Sequence, residues 1–294
     1  MRPTLALLAA LLPLTSVPAQ AHSLWINAHE SHAHQPPHAM VSLGWGHSLP
    51  VDDILNSPNG RVIVDRFSLV DPAGERTPLL MPEAKLAEPV SNTPNLALFE
   101  ADLASQKVAF TTDSAEGVYQ FEAVSKATFY TQYIDTEGRT RLALKPRDAI
   151  EGIDRVLMSV KYQAFAKAAV TLGAWTDPAP LGHDLEIIPR TDLSDVHVGD
   201  LIEVDVMFHG EPLTASAKSI EYITADSAGF GQTDGFALFS YIKEGRAQFR
   251  VQTAGQWRIT VSHKDDVTPE GPLADLVGKA NQVYHGASLT FTVQ

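Results

Sequence analysis

The chain of 294 residues contains no cysteine. That excludes disulfides, thiolate zinc sites, iron–sulfur clusters and cysteine nucleophiles. Any metal must then be held by histidine, carboxylate, backbone atoms or a terminal amine. Basic residues are few: 22 Lys and Arg stand against 35 Asp and Glu, a formal net charge of −13. Such a surface repels nucleic acid and anionic membranes, so neither is an expected partner. Beyond the N-terminus no apolar run reads as a transmembrane helix, and a chain embedded in the membrane is not expected. Nucleophile motifs, phosphate-binding loops, paired carboxylates and a flat aromatic face are all missing from the pattern. The expectation is therefore a binding protein rather than an enzyme.

The N-terminus holds the one long apolar stretch. Arg2 precedes Leu5–Leu14 (LALLAALLPL), and Ala19-Gln20-Ala21 follows with small residues where a signal peptidase reads. This three-part order is that of a secretory signal peptide. The apolar part is shorter than the roughly 20 residues that span a bilayer. Residues 1–21 are read as the signal, and the expected location is the periplasm. The remaining length suits two domains.

Most of the chain alternates short apolar runs with turn residues, as in all-β sandwiches. Ser23–Asn27, Met40–Trp45, Val62–Val70, Val118–Val124 and Ala127–Ile134 read as strands, and His29–His38 as a loop. One stretch reads otherwise. Between Asp148 and Ala168, Ile150, Ile153, Leu157, Val160, Ala164 and Ala168 recur at spacings of three and four, which predicts a helix. Thr176–Gly182, with Pro178 and Pro180, reads as a linker. Alternating strands resume at Leu185 and run to the end. The expected architecture is mainly β. Two immunoglobulin-like or transthyretin-like sandwich domains are expected at 22–175 and 185–294, with a linker at 176–184 and one helix near the end of the first domain.

Eleven histidines are present, and six of them lie between His22 and His47. Neutral imidazole is the commonest protein ligand of nickel, copper, zinc and related ions. Cleavage after Ala21 would give His22 a free α-amine beside its ring, so the two nitrogens can chelate one ion. A second histidine would complete a three-nitrogen set. His47 follows Trp45-Gly46, with Asp52 and Asp53 just beyond. His263 ends a strand and His285 precedes the last one, so both can reach a site between domains. His29, His32, His34 and His38 read either as a weaker metal antenna or as a solvated loop. His183, His197 and His209 read as surface residues.

The order of short motifs carries a family resemblance: His22-Ser23-Leu24-Trp25-Ile26, Gly46-His47, Val64–Gly74 (VDRFSLVDPAG) and Leu185–Pro189 (LEIIP). Val198-Gly199-Asp200, Gly210–Leu213, Gly255-Gln256-Trp257, Ser262-His263 and Ala287–Phe291 continue it. Nearly the whole chain after residue 21 resembles the bacterial family described as the periplasmic component of ABC-type cobalt/nickel transport systems. That resemblance implies nickel or cobalt uptake and a membrane ABC-type or energy-coupling metal transporter as partner. The family's recurring histidines match His22, His47 and His263. His285 stands where members often carry another large residue. The expected metal ligands are His22, His47, His263 and His285. Copper and zinc suit the same donors.

Two other classes compete. An N-terminal histidine beside a second one on a β-sandwich is similar to the copper brace of oxidative polysaccharide enzymes. An envelope or adhesion module with incidental histidines fits two sandwiches equally well, because fold does not dictate function. The signal reading is directly checkable: exported with its leader, the protein should have the intact mass of a chain beginning at His22.

Overall fold

The computed structural model describes residues 22–31, 36–58, 60–216, 219–230 and 237–294. Residues 1–21, read above as a signal, lie outside them, as do His32 and His34. In chain order the strands of the first half are β1 (Ser23–Ser31), β2 (His38–Gly46), β3 (Val64–Val70), β4 (Arg76–Pro78), β5 (Pro89–Asn92) and β6 (Ala97–Phe99). They continue with β7 (Gln106–Ala109), β8 (Gly117–Ser125), β9 (Thr128–Asp135), β10 (Thr140–Ala143) and β11 (Ile153–Leu172). The second half gives β12 (Leu185–Pro189), β13 (Leu201–Phe208), β14 (Glu211–Pro212), β15 (Tyr222–Ser227), β16 (Leu238–Tyr241), β17 (Arg246–Arg250), β18 (Gly255–Asp266) and β19 (Gln282–Val293).

A ten-stranded central sheet runs β16-β15-β18-β19-β11-β8-β3-β4, with β9 and β10 branching from β11. It takes strands from both halves of the chain, which meet where β11 pairs parallel with β19. A front sheet, β1-β2-β7, and a rear sheet, β12-β13-β14 with β17 on β13, lie over it. The fold is thus a mainly β sandwich in which two hydrophobic cores share one sheet. The front core joins Leu24, Ile26, Leu43 and Trp45 to Phe121, Ala164, Ala166 and Ala168. The rear core joins Leu185, Ile187, Val204 and Val206 to Trp257, Ile259, Leu289 and Phe291. Successive side chains of a strand point to opposite faces, so each central strand feeds both cores.

The segment expected to be a helix is instead β11, a strand of 20 residues. Its even positions, Tyr162, Ala164, Ala166, Ala168 and Val170, enter the front core, while Phe165 enters the rear one. Lys167, only 2 % exposed, turns rearward to the Glu186 carboxylate at 2.8 Å. A strand buried on both faces loses its apolar alternation and reads as a continuous apolar run. The spacing of four from Val160 to Ala164 to Ala168 fits one face of a strand as well as of a helix, and Leu157, which is exposed, completed the helical pattern. Three alanines in a row on the front face also let β1 close over the sheet, where Ser288 donates to the Leu24 carbonyl at 2.7 Å.

Two further expectations change. The loop read between residues 29 and 38 is shorter, because His29 pairs with Met40 and Ser31 with His38 on the β1–β2 ladder. Residues 176–184 form no strand, yet they are anchored over the rear face. Gln120 donates to the Ala179 carbonyl, Arg76 to the Leu181 carbonyl, and the N–H groups of Leu181 and Gly182 donate to Glu186.

A Cβ at Gly44 would lie inside the fully buried Trp25 indole. Gly44→Ala should therefore overpack the front core and lower unfolding stability in urea by about 1–3 kcal/mol.

Candidate functional site

The β1–β2 ladder positions the first pair of histidines. Its outermost match is Ser23 with Gly46. One step further brings His22, just before β1, opposite His47, just after β2. Their ring centroids lie 4.5 Å apart at 37°, and the His22 ring stacks on Trp45 at 5.2 Å. Trp45 is fixed in turn by its indole N–H, which donates to the Gly60 carbonyl at 2.9 Å. Gly46 has φ +125°, and a Cβ there would strike the Asp52 carboxylate. Glycine thus allows Asp52 to accept the His47 backbone N–H at 2.6 Å and to lie 3.4 Å from Nδ1 of the same ring.

The central sheet holds both backbones of this pair. The Tyr162 hydroxyl donates to the His22 carbonyl at 3.2 Å. Arg258 donates through Nη2 to the His47 carbonyl at 2.7 Å and through Nη1 to Ser23 Oγ at 3.0 Å. Its guanidinium is 5 % exposed and is gripped by the Asp226 carboxylate at 3.1 and 2.8 Å, lying 4.7 Å from the Trp25 ring centre. Such a fork is suited to a planar, charge-assisted bond that fixes direction as well as distance. Burial, then the neighbouring His47, pushes the His22 imidazole below its ordinary value, against the opposing pull of Asp53 and Asp52. That shift favours the neutral ring, the form that binds metals.

The other two expected ligands lie elsewhere. His263 and His285 face each other across β18 and β19. On β19, Tyr284 points forward to Tyr162, with ring centres 5.3 Å apart. The next residue, His285, points rearward to Phe165 and Phe208, at 6.3 and 5.4 Å. The four histidines thus form two pairs on opposite faces of the same sheet. Among the described residues no three histidine or carboxylate groups already stand as a metal-holding cluster.

His183, read as a surface residue, is 4 % exposed. It stacks on Phe165 and its Nε2 lies 2.9 Å from Glu122. Glu122, fully buried, also meets Ser68, Arg66 and Arg76. Burial alone would raise its carboxyl, but the bonds from His183, Ser68 and Arg76 prevail and hold it well below the usual range. His197 and His209 are exposed, as expected. Arg258, Asp226 and Tyr162 were not singled out from sequence. The available signal was an arginine between Trp257 and Ile259, inside an otherwise apolar strand.

On the front face, β15 and β16 carry the exposed rings of Tyr222, Phe239 and Tyr241. Tyr222 and Phe239 meet at 45°, so they form a cup rather than a plane.

Residues 19–265 match the family described as "Domain of unknown function (DUF4198)". No curated protein matches the chain.

His285 is buried and its imidazole is pushed below the ordinary value by that burial, with Asp184 pulling upward and His209 downward. A histidine depressed in the folded state binds fewer protons there than in the unfolded chain. Stability is therefore complete above about pH 6.5 and falls as the pH drops below it. His285→Gln should flatten the acid side of a stability profile measured by urea unfolding between pH 7 and 5.

Proposed function

The chain belongs to that family, and we propose that it is an exported metal-binding accessory protein which captures a divalent ion at His22 and His47 for nickel or cobalt uptake. One observation carries the reading: the two imidazoles lie 4.5 Å apart at the head of β1. Signal cleavage after Ala21 would add the α-amine of His22 at the same place. Three nitrogens and no thiolate make a donor set suited to nickel, copper, cobalt or zinc, with tetragonal nitrogen sites favouring nickel and copper. The anchored carbonyls of His22 and His47 leave the two rings as the adjustable parts. Asp52 can orient the His47 ring, as carboxylates beside metal-bound imidazoles do. Protons compete for the same nitrogens, so capture weakens in acid. The ion is cargo in this reading, passed on to a membrane transporter of the ABC or energy-coupling type. His263 and His285, on the far side of the sheet, take no part in this capture.

Adjacent histidines also favour a second reading, the copper-brace oxidative enzyme. The exposed rings of β15 and β16 are tilted against one another and make no flat platform for a polysaccharide, which favours capture over oxidation.

Calorimetric titration of the metal-free protein with nickel, cobalt, copper and zinc tests the proposal. A tight site should be present when the chain begins at His22. It should weaken at least tenfold in His22→Ala and in His47→Ala, and also when one extra residue precedes His22. If a protein shown by mass to start at His22 binds none of the ions at that site, the reading fails and an envelope module takes its place.

A further inference from the structure

Residues 83–102 leave the body of the protein as a hairpin, held only at its base. Asn56 donates to the Lys85 carbonyl at 2.8 Å, and its own carbonyl accepts the Ala87 N–H at 3.0 Å. Asp102 accepts the Glu83 N–H at 2.7 Å. Just below, the Gln106 side chain and the Leu80 backbone bond in both directions, at 3.0 and 3.3 Å. Beyond this base, β5 and β6 pair only with each other, and every residue of the two strands is exposed. Val90 is 67 % exposed, and Leu96 and Leu98 52 % each. A lone two-stranded hairpin is marginally stable in water, and its open edges are templates for a further strand. An anchored hairpin with bare apolar side chains calls for a cover.

Charge decides what that cover is. In the hairpin Glu83, Glu88, Glu100 and Asp102 stand against one cation, Lys85. One step beyond the match of Pro89 with Phe99, Glu88 faces Glu100 across the two strands. Like charges placed so destabilise a strand pair. This rim repels an anionic lipid surface and a second hairpin of its own kind. One stretch of the same chain has the opposite character. Residues 139–147 carry Arg139, Arg141, Lys145 and Arg147 and no acid, although the whole chain has a net charge of −13. Asp135, shared by Arg139 and Arg141, and Glu137, paired with Arg139, offset two of these four charges and leave an excess of two. β10 lies in this stretch and pairs only with β9, so its other edge is open among the described residues. Leu142 is 54 % exposed and Leu144 40 %. An apolar strand edge with a basic rim thus complements an apolar hairpin with an acidic one. Within one chain the two do not pair, so their meeting requires two chains.

We propose that the β5–β6 hairpin docks, as an added strand, on the open edge of β10 in a second copy of this chain. β6 is the strand that docks, because Pro89 deprives β5 of a backbone N–H. Main-chain bonds hold the added strand, Leu98 covers Leu142 and Leu144, and Glu88 and Glu100 meet Arg141 and Lys145. Two reciprocal contacts about a twofold axis close a dimer. This contact goes beyond the metal reading and does not rest on it.

The test is sedimentation velocity on the full exported chain over a series of protein concentrations, at about 0.05 M and about 0.5 M salt. A chelator is present, so that no ion bridges the copies. A dimer should form at low salt, and its dissociation constant should rise about tenfold or more at high salt. Glu88→Lys with Glu100→Lys should leave a monomer, and so should Arg141→Glu with Lys145→Glu. An equal mixture of these two variants should restore the dimer, because each hairpin then meets a β10 of opposite sign. Leu98→Asp, at an exposed position, should also give a monomer, and it keeps the test valid where loss of the Arg141 bond to Asp135 disturbs folding. A wild-type chain that stays monomeric at every concentration overturns the proposal. So does a dimer that survives the Glu88 and Glu100 reversal or Leu98→Asp, which would assign the interface to another surface. A mixture of the two folded variants that stays monomeric overturns it as well.

Discussion

The central sheet is covered on both faces, and the rest of the molecule follows from that constraint. A strand alternates its side chains, so a sheet buried on both sides must satisfy two unlike environments with neighbouring residues. On β11, alanines serve the front core while Phe165 and Lys167 serve the rear. On β19, Tyr284 and His285 part company in the same way. The separation of the two histidine pairs is thus a result of pleat geometry. No rearrangement short of a register shift brings His22 and His285 to one ion.

Within this frame the charged groups are placed where the two covering layers meet the sheet. Arg258 and Asp226 face forward and fix the head of β1 and the turn at His47. Lys167, Glu186, Glu122 and His183 face rearward and fix the segment leading into β12. Each of these six groups has an opposite or hydrogen-bonding partner, as burial requires. Such pairs are weak sources of stability compared with apolar packing. Their directional bonds instead set where the covering layers sit, and so where the candidate ligands are presented.

Much of the β architecture was legible from alternation and turns, because strands covered on one face keep a clean period of two. β2 and β13 both show it. β11 misled because Val160, Ala164 and Ala168, four residues apart, share a face on a strand as they would on a helix, and exposed Leu157 filled the remaining helical position. The pairing of His22 with His47 was legible in kind, since one precedes and the other follows an adjacent strand. The grouping of all four histidines was not legible, because which face a strand residue occupies depends on partners more than 100 positions away. His183 was misjudged for a related reason. Its proline-rich surroundings mark a loop, but Glu122, its buried hydrogen-bond partner, lies 61 residues earlier.

The bond from Ser288 to Leu24 spans 264 positions, and that from Arg258 to Ser23 spans 235. Contacts of such range form late, because closing long loops costs entropy before the contacts reward it. The head of β1 is completed by residues that leave the ribosome more than 230 positions after it. The arrangement around His22 is therefore a property of the folded chain. A fragment ending short of β18 would carry the same N-terminal residues without the arginine that sets them in place. The fold thereby couples the readiness of β1 to the arrival of β18 and β19, an ordering in time written into the spatial pairing of strands.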